Sequence, residues 1–333
     1  MSAGRRGTMR RRGSEPGFSL VELMISLVLG LLVSAAAVGI FLSNQRTYRA
    51  TESLARIQES ARVAFELMAR EIRQAAGNPC AMDLPVANVL NGASAKAVPW
   101  WMNWERGIVG YDNGGLPGAA AGTDAIEFLS SGEGAVTVTR HDQQPANPGS
   151  MASFKVDSAL QGLDAGDIVL VCDYTQASIV QVSSVRDGNK TIAFGRGVGQ
   201  PGNCTMALGV PVVCTGIGSS KSYRPNSLLA MLHAVRWFVA DNGRGGRSLY
   251  RVAMERGRLQ GREEVAERIQ DLQIRYLVAG AHRYVDASAD VDWKGVMAVR
   301  LSLTLQDAGH AGSGRSQLTR TLVHTVSLRN RTS

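Results

Sequence analysis

No G-x-S-x-G, H-E-x-x-H, Walker A or C-x-x-C-H sequence occurs among these 333 residues. That removes the common local signatures of serine hydrolysis, zinc peptidolysis, nucleotide triphosphate binding and covalent haem. The four cysteines, Cys80, Cys172, Cys204 and Cys214, include no C-x-x-C pair, which disfavours a metal site built from them. Charge is missing from one long stretch. Between Phe18 and Leu42 only Glu22 ionises and no proline occurs. As a helix rising about 1.5 Å per residue, this run crosses a hydrocarbon layer of roughly 30 Å with some tilt. An ionised carboxylate in lipid costs at least a few kcal/mol, so Glu22 is a functional candidate that needs a partner.

Acidic residues are also scarce ahead of the run, where Arg5, Arg6, Arg10, Arg11 and Arg12 face Glu15 alone. A flank this basic stays cytoplasmic. A conventional secretory signal has a small-residue cleavage site after its apolar core, and nothing after Leu42 supplies one. Here the small residue, Gly17, comes first, so cleavage behind it leaves the apolar segment attached. The sequence Gly17-Phe18-Ser19-Leu20-Val21-Glu22 resembles the class III processing signal of type IV prepilins. The resemblance implies a prepilin peptidase that removes a leader of residues 1–17, cuts between Gly17 and Phe18 and methylates the Phe18 amine. On a continuous helix Phe18 and Glu22 share a face. The resemblance implies that Glu22 answers a cationic N-terminus, preferably a neighbouring subunit's.

With 44% hydrophobic and 19% charged residues, the chain has material for one membrane helix and one substantial or two small globular units. Its formal charge is +8, and losing residues 1–17 removes five Arg and one Glu, leaving 31 basic against 27 acidic residues, or +4. That mild excess gives no firm indication of nucleic-acid binding. Everything after Leu42 is expected in the periplasm, where an even number of cysteines reads as disulfides. Three connectivities are open. Cys204–Cys214 is favoured because it closes a Gly/Pro-containing loop, leaving Cys80–Cys172 by default.

Helical periodicity continues past the apolar run. Tyr48, Leu54, Ile57, Ala61, Ala64, Phe65, Met68 and Ile72 recur mainly every three or four residues, while Glu52/Arg56 and Glu66/Arg70 support the other face. Gly77-Asn78-Pro79 ends it, with Gly77 expected in the left-handed cap. The expectation is one helix from Phe18 to about Ala76, on the order of 88 Å. Residues 18–42 form its membrane or filament-core part and residues 43–77 an amphipathic continuation.

Residues 78–333 read as a β-rich periplasmic domain. Strands are expected at Asp124–Leu129, Ala135–Arg140, Ile168–Cys172, Ser178–Val185, Thr191–Phe194, Leu228–Val239, Ser248–Met254, Val296–Leu305 and Leu322–Leu328. Asp187-Gly188-Asn189 and Asp241 to Gly246 read as hairpin turns. Val265–Ala279 begins like a helix turn and ends like a strand, and residues 306–316 form a polar Gly-rich turn. The fold class is α+β, with a long N-terminal helix packed on an antiparallel β-rich domain. Gly166 to Val171, Ser248 to Arg251, Val265 to Gln273, Val299 to Leu303 and Leu328 to Arg331 resemble the PilW subgroup of minor pilins. The helix segments Ile57 to Arg62 and Leu67 to Arg73 are similar to it as well.

Other chemistry is sparse. Gly195-Arg196-Gly197-Val198-Gly199 has the look of a dinucleotide loop, but Pro201-Gly202 stands where a helix should start. Asp286, Asp290 and Asp292 lack an EF-hand pattern and read as a turn with a helix-starting Asp. His141, His233, His282, His310 and His324 are scattered. Trp100, Trp101 and Trp104 form the most interaction-like stretch, either a partner contact or a plug in the core.

The resemblance implies a non-enzymatic minor pilin without cofactor or metal. Its implied partners are prepilin peptidase, other minor pilins, the major pilin, a tip protein and the inner-membrane assembly platform. A minor pseudopilin of a type II secretion system shares every N-terminal argument. A membrane-anchored periplasmic enzyme lacks a catalytic constellation, and a filament-borne DNA receptor lacks a basic stripe.

Overall fold

The computed structural model describes residues 17–80, 84–93, 98–104, 106–131, 134–143, 150–215, 218–306 and 319–331. Two compact units divide the chain, one up to Ala55 and one from Arg56 onward. In the first, helix α1 (Leu20–Gln74) begins, and its stretch Leu20–Arg49 is long and apolar enough to cross a membrane, with a mean hydropathy of 2.6. Apolar side chains from Leu20 to Leu42 are exposed throughout that stretch. The helix starts two residues later than expected, because Ser19 caps it.

In the second unit, α1 buries Ala61, Ala64, Phe65, Met68 and Ile72 as the periodicity requires, joined by Ala69 and Ala75. Tyr48 is exposed, and the side chains of Leu54 and Ile57 lie outside the described residues. Glu66 pairs with Arg62 at 2.9 Å, a turn behind it. The left-handed cap falls on Ala76, with φ 58°, and not on Gly77. Tertiary contacts impose it: Ala76 N–H donates to Leu129 O at 2.8 Å, and a Cβ on Gly107 would lie 2.6 Å from the Ala76 Cβ. Gly107 is the residue that makes room.

Strands follow in the order β1 (Val86–Asn88), β2 (Ile108–Tyr111), β3 (Ala125–Ser131), β4 (Val136–Asp142), β5 (Met151–Val156), β6 (Ile168–Cys172), β7 (Ala177–Gln181), β8 (Ser184–Arg186) and β9 (Thr191–Gly195). Then come β10 (Ser227–Asp241), β11 (Arg247–Glu255), β12 (Arg258–Leu259), β13 (Glu263–Glu267), β14 (Ile269–Val278), β15 (Val296–Gln306) and β16 (Thr319–Ser327). β1 to β13 join in one sheet, in which, among the described residues, only the β1–β7 strand pair is parallel. The spine is β10, whose first residues pair with β4 and β6 and whose later ones pair with β3 and β11. A second antiparallel sheet runs β14-β15-β16.

Both expected hairpins form, around residues 187–190 and 242–246. Two expectations need correction. Ser178–Val185 is not one strand, because Val182 N–H bonds Asp167 O and Ser183 N–H bonds Ala193 O, which moves the chain from β6 to β9. Val265–Ala279 contains no helix turn. β13 and β14 occupy it, broken at Arg268 with φ 63°, because pairing with β11 and β15 outweighs the local helical pattern. Sequence reasoning passed over β1, β2, β5 and β12. Most of the 306–316 turn lies outside the described residues.

The buried face of α1 packs with Ile126, Phe128, Val235, Trp237, Leu249 and the inner side chains of β14, β15 and β16. Fully buried Met68 and Ile72 each contribute about 1.5–3 kcal/mol by leaving water. A second core gathers Phe154, Phe194, Tyr223 and the inner residues of β4 to β9.

Candidate functional site

Gly17 and Phe18 precede α1 and are exposed, so the peptide bond between them is not held in helical hydrogen bonding. Ser19 is the N-cap. Its hydroxyl oxygen accepts from Val21 N–H at 3.4 Å, and its carbonyl accepts from Leu23 N–H at 3.1 Å. Glu22, three residues on, reaches back so that its Oε2 accepts from Ser19 N–H at 3.1 Å. This is a capping box, in which a Ser side chain and a Glu side chain satisfy donors that a helix start leaves unpaired. Phe18 is therefore not on a helical face with Glu22, and the carboxylate's partner here is its own chain. The S-x-x-E spacing was the signal that sequence reasoning missed.

A second carboxylate on α1, Glu71, has different surroundings. Its Oε2 accepts from Trp237 Nε1–H at 2.6 Å, and its Oε1 meets Arg251 Nη2 at 2.8 Å and Nε at 2.9 Å. Arg251 also approaches Glu263 at 3.6 Å. The charge-assisted bonds tie this part of the helix to β10 and β11. Nothing local in the sequence marks Glu71, because its partners lie 166 and 180 residues away.

The tryptophans turn largely inward. Trp101 and Met102 are buried in a core with Leu129, Ile168 and Leu170, and half-buried Trp100 and Trp104 pack against that core. Arg236 stacks over the Trp100 ring at 4.7 Å from its centroid. The burial of Trp101 assigns that residue to packing. Beside Trp104 lies a cavity of about 780 Å³ with Arg106, Lys294 and Arg331 in its wall.

The four cysteines form Cys80–Cys172 and Cys204–Cys214. After β9, Gly199 serves close packing. A Cβ on Gly199 would lie 2.7 Å from Gln181 Oε1, which accepts from Gly202 N–H at 2.7 Å. Asp292 caps the turn Trp293–Gly295, accepting from Lys294 N–H at 3.1 Å, while Asp286 pairs with Arg275. Among the described residues no group of three His, Cys, Asp or Glu is placed to hold a metal ion. His310 lies outside those residues.

Burial displaces several titrating groups, His141 and Asp124 among them. His141, packed against Phe154, is held down to about 4, partly offset by Asp142. Asp124 is pushed up to about 6 by desolvation and by Asp112, against the hydrogen bonds that its carboxylate accepts from Asn113 and Ile274. Neither adjoins a second reactive group in an open cleft, so both read as structural.

Two family models match the chain: the Prokaryotic N-terminal methylation motif over residues 12–38, and Type IV Pilus-assembly protein W over residues 236–328. The first covers the capping box and much of the apolar helix. The second covers the last six residues of β10 and the chain from there through β16. No curated protein and no solved structure gives a significant match.

Proposed function

We propose that this chain, supported by both matches as a type IV minor pilin of the PilW family, is cut between Gly17 and Phe18 and helps to initiate pilus assembly or to form the tip complex. The N-terminal signal and the apolar helix support a single-pass inner-membrane anchor with a pilus-associated C-terminal domain. The pilus context implies prepilin peptidase and other pilins as partners. The observation that carries the reading is the pairing of this N-terminal signal with a β-rich C-terminal unit matched as pilus assembly protein. The family's character is structural and non-enzymatic. Contacts with the major pilin, a tip protein and the assembly platform belong to the proposal.

The capping box suggests how Glu22 works. In the single chain its carboxylate holds the first turn, a favourable place for negative charge at a helix N-terminus. Cutting after Gly17 creates an amine on Phe18, methylated in this reading. When subunits meet in an apolar filament core, the Glu22 carboxylate exchanges the Ser19 N–H for a neighbour's cationic amine. An ion pair out of water is specific because an unmatched charge there is costly, and this sets the stagger between helices. Twitching, adhesion and DNA uptake are downstream of assembly.

The test separates processing from assembly. Gly17→Val leaves an unprocessed precursor in the membrane, whereas Glu22→Ala is processed normally and fails to enter pili. Incorporation of both variants at the parental level would overturn the reading.

A further inference from the structure

The two edges of the three-stranded sheet are finished differently. Along the outer edge of β14 other parts of the chain meet the free backbone groups one after another. Asp124 N–H donates to Leu272 O at 2.8 Å, the Asp124 carboxylate accepts from Ile274 N–H at 2.7 Å, and Tyr276 exchanges bonds of 2.8 and 2.9 Å with Val285. Two register shifts bend that strand. Among the described residues the other edge, β16, has none of this.

Among the described residues β16 pairs with β15 alone, over nine residues without a bulge. Leu328 N–H donates to Met297 O at 2.8 Å, which fixes the alternation: even-numbered residues of β16 bond β15, and the backbone of Thr319, Thr321, Val323, Thr325 and Ser327 points outward. The side chains of those five are exposed, Val323 to 61%. Thr321 bonds Thr304 across the strands and Arg300 reaches the Thr325 hydroxyl, so the face beside the edge is ordered.

Proteins normally blunt such an edge with short length, Pro, Lys, a bulge or inward charge. Other outer strands here follow that rule: β1, β2, β8 and β12 have two to four residues, and β13 carries Glu263, Glu264 and Glu267. Among the described residues β16 has no Pro, Lys, bulge or acidic side chain, and it has β-favouring Thr and Val at its outward positions. Its charge has one sign. β15 and β16 contain Arg300, Arg320 and His324 and no Asp or Glu, and Arg329 follows. Two copies of β16 edge to edge would gather cations into one ladder without a carboxylate. An acidic strand meets no such repulsion.

We propose that β16 is a receptor edge for an extended acidic segment of a partner protein, which adds as a fourth strand to the β14-β15-β16 sheet. Backbone bonds to the outward groups hold it, and Arg320, exposed on the edge strand itself, selects its side chains. This rests on the edge itself and stands apart from the processing and assembly reading.

The test uses the full chain in detergent and three labelled nine-residue probes: an alternating Thr/Val peptide with Glu at every second position, its Lys counterpart, and the Glu peptide with N-methylated backbone. The Glu probe is expected to bind about tenfold or more tightly than either control. Val323→Pro removes an outward N–H and no bond to β15, so it should abolish probe binding without lowering the melting temperature. Arg320→Glu should reverse the preference between Glu and Lys probes. Equal binding of all three probes would overturn the proposal, as would unchanged Glu-probe binding by Val323→Pro. Self-association through β16 in sedimentation, lost in Val323→Pro, would overturn it in favour of a second copy.

Discussion

Glu22 and Glu71 stand on one helix and serve opposite ends. Glu22 sits in the first turn and bonds only the Ser19 backbone N–H among the described partners, a local arrangement that the proposed function has a neighbour's charge replace. Glu71 uses both oxygens, one on the Trp237 indole and one on the Arg251 guanidinium, in partly buried surroundings. In the proposed function, a carboxylate with a local partner stays available for assembly. One locked by two distant partners holds a fold. The difference separates what α1 does up to Ala55 from what it does beyond Arg56.

The largest break in that comparison comes from cutting the long covalent tie of the globular unit. Replacing Cys80 and Cys172 together by Ser opens a link between residues 92 apart and should lower stability by about 2–5 kcal/mol. The Cys204–Cys214 link spans only 10 residues, so its double Ser variant should lose less. Equal losses in urea unfolding of residues 56–333 inside the intact chain would contradict this ranking.

Glu71→Ala comes next, at about 2–3 kcal/mol, because it strands the Trp237 N–H and the Arg251 charge in a half-buried place. The same measurement on Glu22→Ala should show almost no change in the globular unit. If the two variants melt alike, the division of labour between these carboxylates fails.

The smallest effect sharpens the picture of the globular unit as a structural body. Asp124 has a folded pKa raised to about 6, so its contribution is fully present below about 3.8 and is lost as pH rises through 6. His141 is depressed to about 4, so its contribution is present above about 6.5 and is lost as pH falls toward 4. The two oppose each other between pH 4 and 6.5. Asp124→Asn removes that opposition, and its melting temperature should fall more steeply than the parent's from pH 7 to pH 4.5. Parallel pH profiles would remove Asp124 from this balance.

Local signals in the sequence were readable where the physics is local. The apolar run, the Gly17/Phe18 processing pattern and the 3.6-residue stripe from Ala61 to Ile72 need no distant partner to be recognised. The β-alternation of Val296–Leu305 and the turn at Asp187-Gly188-Asn189 were legible for the same reason. Glu71 was not, since its role depends on β10 and β11 folding back to it. Gly107 was not, since its missing Cβ matters only against Ala76. The helix-like start of Val265–Ala279 misled because β11 supplies a strand partner that no window of sequence contains. Phe18 was placed on the helix because periodicity alone carries no start point, and the Ser19/Glu22 box supplies one.

The most direct test of the account is the mass and N-terminal chemistry of the chain recovered from sheared pili. The account predicts a mature protein beginning at Phe18, lacking residues 1–17 and carrying one methyl group on the Phe18 amine. A protein in that fraction with its leader intact, or cut after Leu42, would contradict it.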